Sequence, residues 1–298
     1  MGTATGRATW TEPYGRLIGR RPIVSFFVLT FALSWLAWTP YVLSLSGLGV
    51  LDFDFPVVLG TTQLMGMMPG AYLGPILSAF VVTLANRGRA GVKQWLGRFL
   101  RWRVGWRWYV GVIGGVPLVL TVAGLFMASG EHEGEPMTMT VVLSYLPLLA
   151  LQMLTTGLAE EPGWRDFALP RLQPRFGPLG ANMILGPLWG CWHLPLFLTS
   201  WAGWPDVQIS DVVEFIATAI ALCIVMTWVS NKTRQSLPLQ MLLHSSINNT
   251  VSVIWGSLFP TMGHDELTRG VLIVAATIAV VLLVGTRGQL GWTGTEGD

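Results

Sequence analysis

Charge is scarce in this chain. Asp, Glu, Lys and Arg make up 11% of its 298 residues, against about a quarter in a soluble domain. A water-soluble globule of this length would lack the polar surface to cover itself, which excludes an ordinary cytosolic enzyme and a disordered chain. A formal net charge of only +2 gives no reason to expect a nucleic-acid partner. Cysteine is scarcer still. Cys191 and Cys223 both lie in apolar runs, so no disulfide framework and no zinc knuckle is present. Each is read as a small buried apolar side chain. Cys191 stands two residues before His193, but adjacent helical positions point about 100° apart, which does not favour a thiol nucleophile there. There is also no long repeat, low-complexity stretch or soluble second domain.

What the chain does have is apolar length and tryptophan. Hydrophobic residues reach 52%, there are 15 tryptophans, and the mean hydropathy is +0.55. These values point to an all-α, polytopic membrane helical bundle, since Trp gathers at bilayer interfaces. With about 20 apolar residues per span, eight spans are expected. They lie near Pro22 to Leu45, Ala71 to Ala85, Trp108 to Ala128, Thr140 to Leu158, Leu179 to Ser200, Asp211 to Ser230, Leu237 to Gly256 and Gly270 to Thr286. A further apolar stretch, Val57 to Pro69, is short and broken by Gly60, Gly66 and Pro69; it either extends the second helix or lies at the interface.

Eight spans would put both ends on one side, and charge tests that count. All of the 18 Lys and Arg residues except Arg269 then fall on the side of the termini, while the opposite loops carry Asp52, Asp54, Glu131, Glu133, Glu135, Asp206, Asp265 and Glu266. Positive residues gather on the cytoplasmic side, so both termini are expected there. The organisation is a cytoplasmic tail 1–21, one transmembrane domain 22–286 and a cytoplasmic tail 287–298. Arg20 and Arg21 before an apolar run resemble a signal sequence, but the run is long, carries Trp35 and Trp38, and shows no clear cleavage site. It is read as an uncleaved first helix of a multi-pass cell-membrane protein.

The basic segment from Gly91 to Arg107 is expected at the interface, anchored by Trp95, Trp102 and Trp106 beside anionic lipid headgroups. Gly66, Gly70 and Gly74 are spaced four apart, as are Gly111 and Gly115, a spacing that lets helices approach closely.

Topology leaves a few charges unexplained. Asp211 and Glu214 suit a helix start on the non-cytoplasmic side. Glu160 and Glu161 are adjacent like charges at the end of the fourth span, followed by Arg165. On a helix Glu161 and Arg165 are i, i+4 and can pair, leaving Glu160 free to face a cavity. Alone this would be an ordinary interfacial charge cluster. However, His193 lies inside the fifth span, and His244 and Asn248, again i, i+4, lie in the seventh, with Gln240 and Ser252 continuing that stripe. Two histidines, an amide and a carboxylate pair on three spans form the inward-facing polar cluster that an intramembrane site requires.

Glu160-Glu161-x-x-x-Arg165, the aromatic-x-x-x-His of Trp189 to His193, and His244-x-x-x-Asn248 together resemble the motifs of the CPBP family of intramembrane proteases, the CAAX proteases and bacteriocin-processing enzymes also called the Abi family. Gly74-Pro75 and the segment Trp95 to Trp108 are similar to that family's N-terminal half, so the resemblance covers about 71–252. Trp189 stands where the family usually has Phe. The resemblance implies peptide-bond hydrolysis in a cavity opening to the cytoplasm. Glu160 would be the general base and His193 would hold the water. His244 and Asn248 would donate to the oxyanion, while Glu161 and Arg165 would fix the helix. It implies either a metal-free glutamate protease or a zinc enzyme with Glu160, His193 and His244 as ligands and a fourth position for water.

Other intramembrane proteases fit poorly. His132-Glu133 begins a His-Glu-x-x-His pattern, but Pro136 takes the second His position. Met127 stands where a rhomboid-type Gly would precede Ser129, no Gly-x-Gly-Asp occurs, and His264 is expected in a solvated loop. The expected partners are membrane lipids and a peptide or membrane-protein substrate. The basic, Trp-rich composition suggests a bacterial plasma membrane, where a peptide precursor is as plausible a client as a CAAX peptide. The non-enzymatic alternative is a scaffold, immunity or sequestration protein, or a transporter, that binds through the same polar cluster.

Overall fold

The computed structural model describes residues 19–128 and 135–294. Arg7 and Arg16, the segment 129–134 with Ser129, Glu131, His132 and Glu133, and residues 295–298 lie outside that description. Among the described residues all regular structure is helical, and one isolated bridge joins Val58 to Thr61. Lipid enforces this choice, because a backbone group left unpaired in hydrocarbon costs several kcal/mol and a helix pairs its groups within the segment.

Helix α1 (Pro22–Leu43) starts on a proline, whose missing N–H is no loss in a first turn. Helix α2 (Gln63–Leu100) includes the end of the doubtful 57–69 stretch and bends at Gly88, where φ is +62°. Helix α3 (Trp106–Met127) follows after a short turn. The run Met139–Leu198 is broken at Gly177 (φ +67°), ahead of Pro178. We denote 139–176 as α4 and 178–192 as α5, which ends in a 3-10 turn, Leu194–Leu198. Helix α6 (Ile209–Lys232) is capped by Asp211, whose Oδ2 accepts from the Gln208 N–H at 2.8 Å. Helix α7 covers 237–258, and α8 is His264–Gly285.

Among the described residues six runs are long and apolar enough to cross a membrane, and the protein is a multi-pass membrane protein. Eight spans were expected, and two places account for the difference. Helices α4 and α5 fall within one 60-residue run, and α7 is depleted in apolarity by His244, Ser245, Ser246 and Asn249, all buried. Each described end of the chain is tied to a neighbouring helix: Asn86 Nδ2 donates to the Gly19 carbonyl at 2.7 Å and Asn231 Nδ2 to that of Leu290 at 3.0 Å. The Arg98–Asp166 ion pair (3.1 Å) and the bond from Ser236 Oγ to the Arg101 carbonyl (2.6 Å) lie at one end of the bundle. The opposite end is tied by Tyr41 to Ser200 (3.3 Å) and by Arg269 to Glu214 (3.2 Å), so Glu214 holds an ion pair there and is not merely a dipole-compensating acid.

The equal glycine spacings behave differently. At Gly66, Gly70 and Gly74 an added Cβ would run into Tyr41, Trp38 and Ser34 of α1, whereas Gly111 and Gly115 face open space. Close approach at this spacing therefore brings α2 onto α1 but does not involve Gly111 or Gly115 of α3. Trp95 is buried against Phe80 and Phe99 and is no interfacial anchor; Trp102 and Trp106 are exposed as expected. His264 opens α8, half-buried against the Trp201 ring with centroids 5.2 Å apart, in place of the expected solvated loop.

Candidate active site

Glu160 was expected at the end of its span, with His193 far along the next. Helix α4 instead continues through Pro162 to position 176, about four more turns, so Glu160 lies mid-helix. The turn at Gly177 then returns α5 alongside it. The proline is tolerated because the run widens into π-helical turns at 153–157 and 164–168 on either side, which absorb the lost backbone bond.

Trp189 on α5 joins the cluster. Its indole N–H donates to Glu160 Oε2 at 2.8 Å, and its backbone carbonyl accepts from His193 Nδ1 at 3.0 Å. A carbonyl only accepts, so that contact puts the His193 proton on Nδ1 and leaves the Nε2 lone pair free. The indole meets the His244 ring edge-on at 5.3 Å, and the Arg165 guanidinium lies over its face at 4.0 Å. Glu160, His193 and His244 thus surround one side chain. Phenylalanine is smaller and has no N–H, so Trp189 gives Glu160 a hydrogen bond that the family's usual residue would not.

The second carboxylate is held by a hydrogen bond on one oxygen and by an ion-pair contact on the other. Glu161 is completely buried; its Oε1 accepts from His244 Nδ1 at 2.8 Å and its Oε2 faces Arg165 Nε at 3.5 Å. The expected Glu161–Arg165 pair is present, and His244 adds a third member from α7. Arg165 also donates to the Met226 sulfur at 3.1 Å. Asn248 Nδ2 lies 3.5 Å from His244 Nε2, the ring nitrogen left over once Nδ1 donates to Glu161. Glu160 and His244 are nearly excluded from the surface, while Asn248 is partly open.

Three features were not anticipated. His193 sits in an aromatic cage, stacked on Trp201 (5.8 Å, 13°) and edge-on to Trp192 and Phe215. Asp166, beside Arg165 in sequence, is buried in its pair with Arg98. The third is the indole donor itself. Hydropathy gives no signal for the cage, because Trp201 and Phe215 come from a loop and the start of α6.

Zinc was the alternative for Glu160, His193 and His244. Among the described residues no three His, Cys, Asp or Glu side chains converge as a metal site requires. The donor set as arranged does not fit a three-ligand zinc, and no chemical step below uses one.

Comparison with known proteins agrees with this geometry. Residues 142–250, which contain every motif residue above, match the family described as type II CAAX prenyl endopeptidase Rce1-like. A CAAX prenyl protease 2 from Methanococcus maripaludis is 29% identical over 141 residues, 46% of this chain and 50% of that protein. The chain thus spans about half the length of the curated relative it matches. The match agrees with the resemblance drawn from the motifs: residues 142–250, from α4 into α7, are similar to the CAAX protease family of intramembrane proteases. Gly74-Pro75 and the Trp95 to Trp108 segment fall outside the residues matched by the family.

Proposed function

We propose that this protein is an intramembrane endopeptidase, resident in a bacterial plasma membrane, that hydrolyses a peptide bond of a membrane-associated peptide or protein with Glu160 as general base. The observation that carries the reading is the division of labour between adjacent carboxylates. Glu161 is locked between Arg165 and His244, while Glu160 holds one indole bond on Oε2 and keeps Oε1 for a water. His193 Nε2 accepts one hydrogen of that water and Glu160 removes the other proton. The hydroxide adds to the carbonyl carbon. His244, carrying a proton on both ring nitrogens with the Nδ1–H held by Glu161, and Asn248 donate N–H groups to the oxyanion. Collapse breaks the C–N bond, and Glu160 returns its proton to the leaving amine.

The test is cleavage of candidate peptides, CAAX-type and unprenylated precursors, by the purified full chain. Wild type is expected to cleave and Glu160→Gln to lose cleavage while keeping its unfolding temperature. Equal rates would remove Glu160 from the base role. Loss of activity on adding a chelator, restored by zinc, would transfer the chemistry to a metal. Binding of peptide without cleavage by wild type would favour the scaffold or transporter reading.

A further inference from the structure

At the basic end of the bundle, away from the polar cluster, lies a cavity of about 600 Å³. It is lined by Arg101, Arg103 and Trp108 from the turn before α3 and its first residues, and by Lys232, Thr233 and Arg234 from the end of α6. Four of these six are cationic, and no acidic residue lines the cavity. Among the described residues none of the four is in an ion pair.

Like charges do not gather unaided. Here hydrogen bonds and ring contacts hold them: Ser236 Oγ binds the Arg101 carbonyl at 2.6 Å, and Trp108 packs on Trp228 with centroids 5.4 Å apart. The fold thus gathers four cations around a concavity that Leu100, Val104 and Trp108 line with apolar surface. We propose that this cavity binds the phosphodiester headgroup of an anionic membrane lipid. Arginine forks match phosphate oxygens in pairs, and a basic pocket at a helix-bundle end is suited to an acidic headgroup. The surroundings favour a ligand with an apolar tail. Leu100 is 78% exposed and Trp106 69%, so bare apolar side chains flank the cations. The cavity shares no residue with the proposed catalytic cluster, and the proposal does not depend on proteolysis.

The experiment is native mass spectrometry of the purified full chain titrated with phosphatidylglycerol, with zwitterionic phosphatidylcholine and with inorganic phosphate. Phosphatidylglycerol is expected to bind the more tightly of the two lipids. A cation near an anionic surface counts for a factor of about five, so Arg103→Gln with Arg234→Gln should weaken it about thirtyfold. The matched double variant Arg87→Gln with Arg89→Gln removes the same charge from exposed positions outside the cavity and should leave the affinity unchanged. All four residues are exposed, so neither double variant threatens folding. Equal loss in both double variants would mean diffuse surface charge and overturn the site. Inorganic phosphate saturating at the concentration that phosphatidylglycerol needs would overturn the lipid assignment in favour of a free phosphate.

Discussion

The indole N–H of Trp189 reaches across from α5 to Glu160 on α4 and donates to Oε2 at 2.8 Å. A hydrogen bond to a charged group contributes about 1.5–3 kcal/mol, and this one fixes which carboxylate oxygen is left for water. Trp189→Phe keeps a ring against His193, His244 and Arg165 but removes the donor. The expected outcome is kcat lower by about ten- to hundredfold, with KM and unfolding temperature near those of wild type. Wild-type kcat would show that the bond does not orient the base; a rise in KM alone would mean the ring only shapes the peptide site.

Glu161 invites the opposite experiment. It is wholly buried between Arg165 and His244, and removing one member of a buried charged group leaves its partner uncompensated at a cost of about 3–5 kcal/mol. Glu161→Gln should therefore lower the unfolding temperature sharply and reduce activity with it, whereas Glu160→Gln should reduce activity alone. Thermal unfolding of the two variants side by side checks this. An unchanged unfolding temperature for Glu161→Gln would show that the triad does not hold α4 to α7.

Much of this was legible in the sequence, and the reasons differ from residue to residue. The Glu161–Arg165 pair follows from helical spacing alone. His193, His244 and Asn248 stood out because polar groups inside apolar runs are costly without partners. What spacing could not give was which partner each would find across helices: His244 with Glu161, Arg98 with Asp166, Trp189 with Glu160. Asp166 was hidden because it adjoins Arg165 in a stretch already explained as charged. Helix ends were misjudged where backbone geometry overrides hydropathy, at Gly177, where the chain turns, and through Pro162, where π-turns let the helix continue. Trp95 looked like its exposed neighbours Trp102 and Trp106 because composition carries no information about which face of an amphipathic segment packs inward.

The Arg98–Asp166 pair ties the end of α2 to α4 just beyond the proposed site, and both side chains are at most one-tenth exposed. Arg98 also donates to the Asp166 backbone carbonyl at 3.2 Å. Arg98→Met leaves Asp166 buried without its cation and should cost about 3–5 kcal/mol. Arg98→Met combined with Asp166→Leu exchanges the pair for apolar contact and should recover most of that loss. Unfolding curves of the single and double variants decide the point. A double variant as unstable as the single one would mean that the pair contributes more than mutual neutralisation.

The two glycine series supply the last prediction, because their spacing is the same and their surroundings are not. An added methyl at Gly74 meets Ser34 Oγ on α1, a hydroxyl already committed to the Gly70 carbonyl at 2.7 Å. Overpacking of this kind costs about 1–3 kcal/mol, so Gly74→Ala should lower the unfolding temperature. Nothing stands within 4 Å of a methyl added at Gly111. Gly111→Ala should therefore be neutral or raise stability by about 0.5–1 kcal/mol through a stiffer helix. Ser34→Ala combined with Gly74→Ala removes the colliding oxygen and should restore much of what Gly74→Ala loses. If Gly74→Ala matched wild type while Gly111→Ala did not, the close packing of α1 on α2 would be misassigned. The rescue by Ser34→Ala separates a steric contact at that crossing from a general intolerance of α2 to substitution.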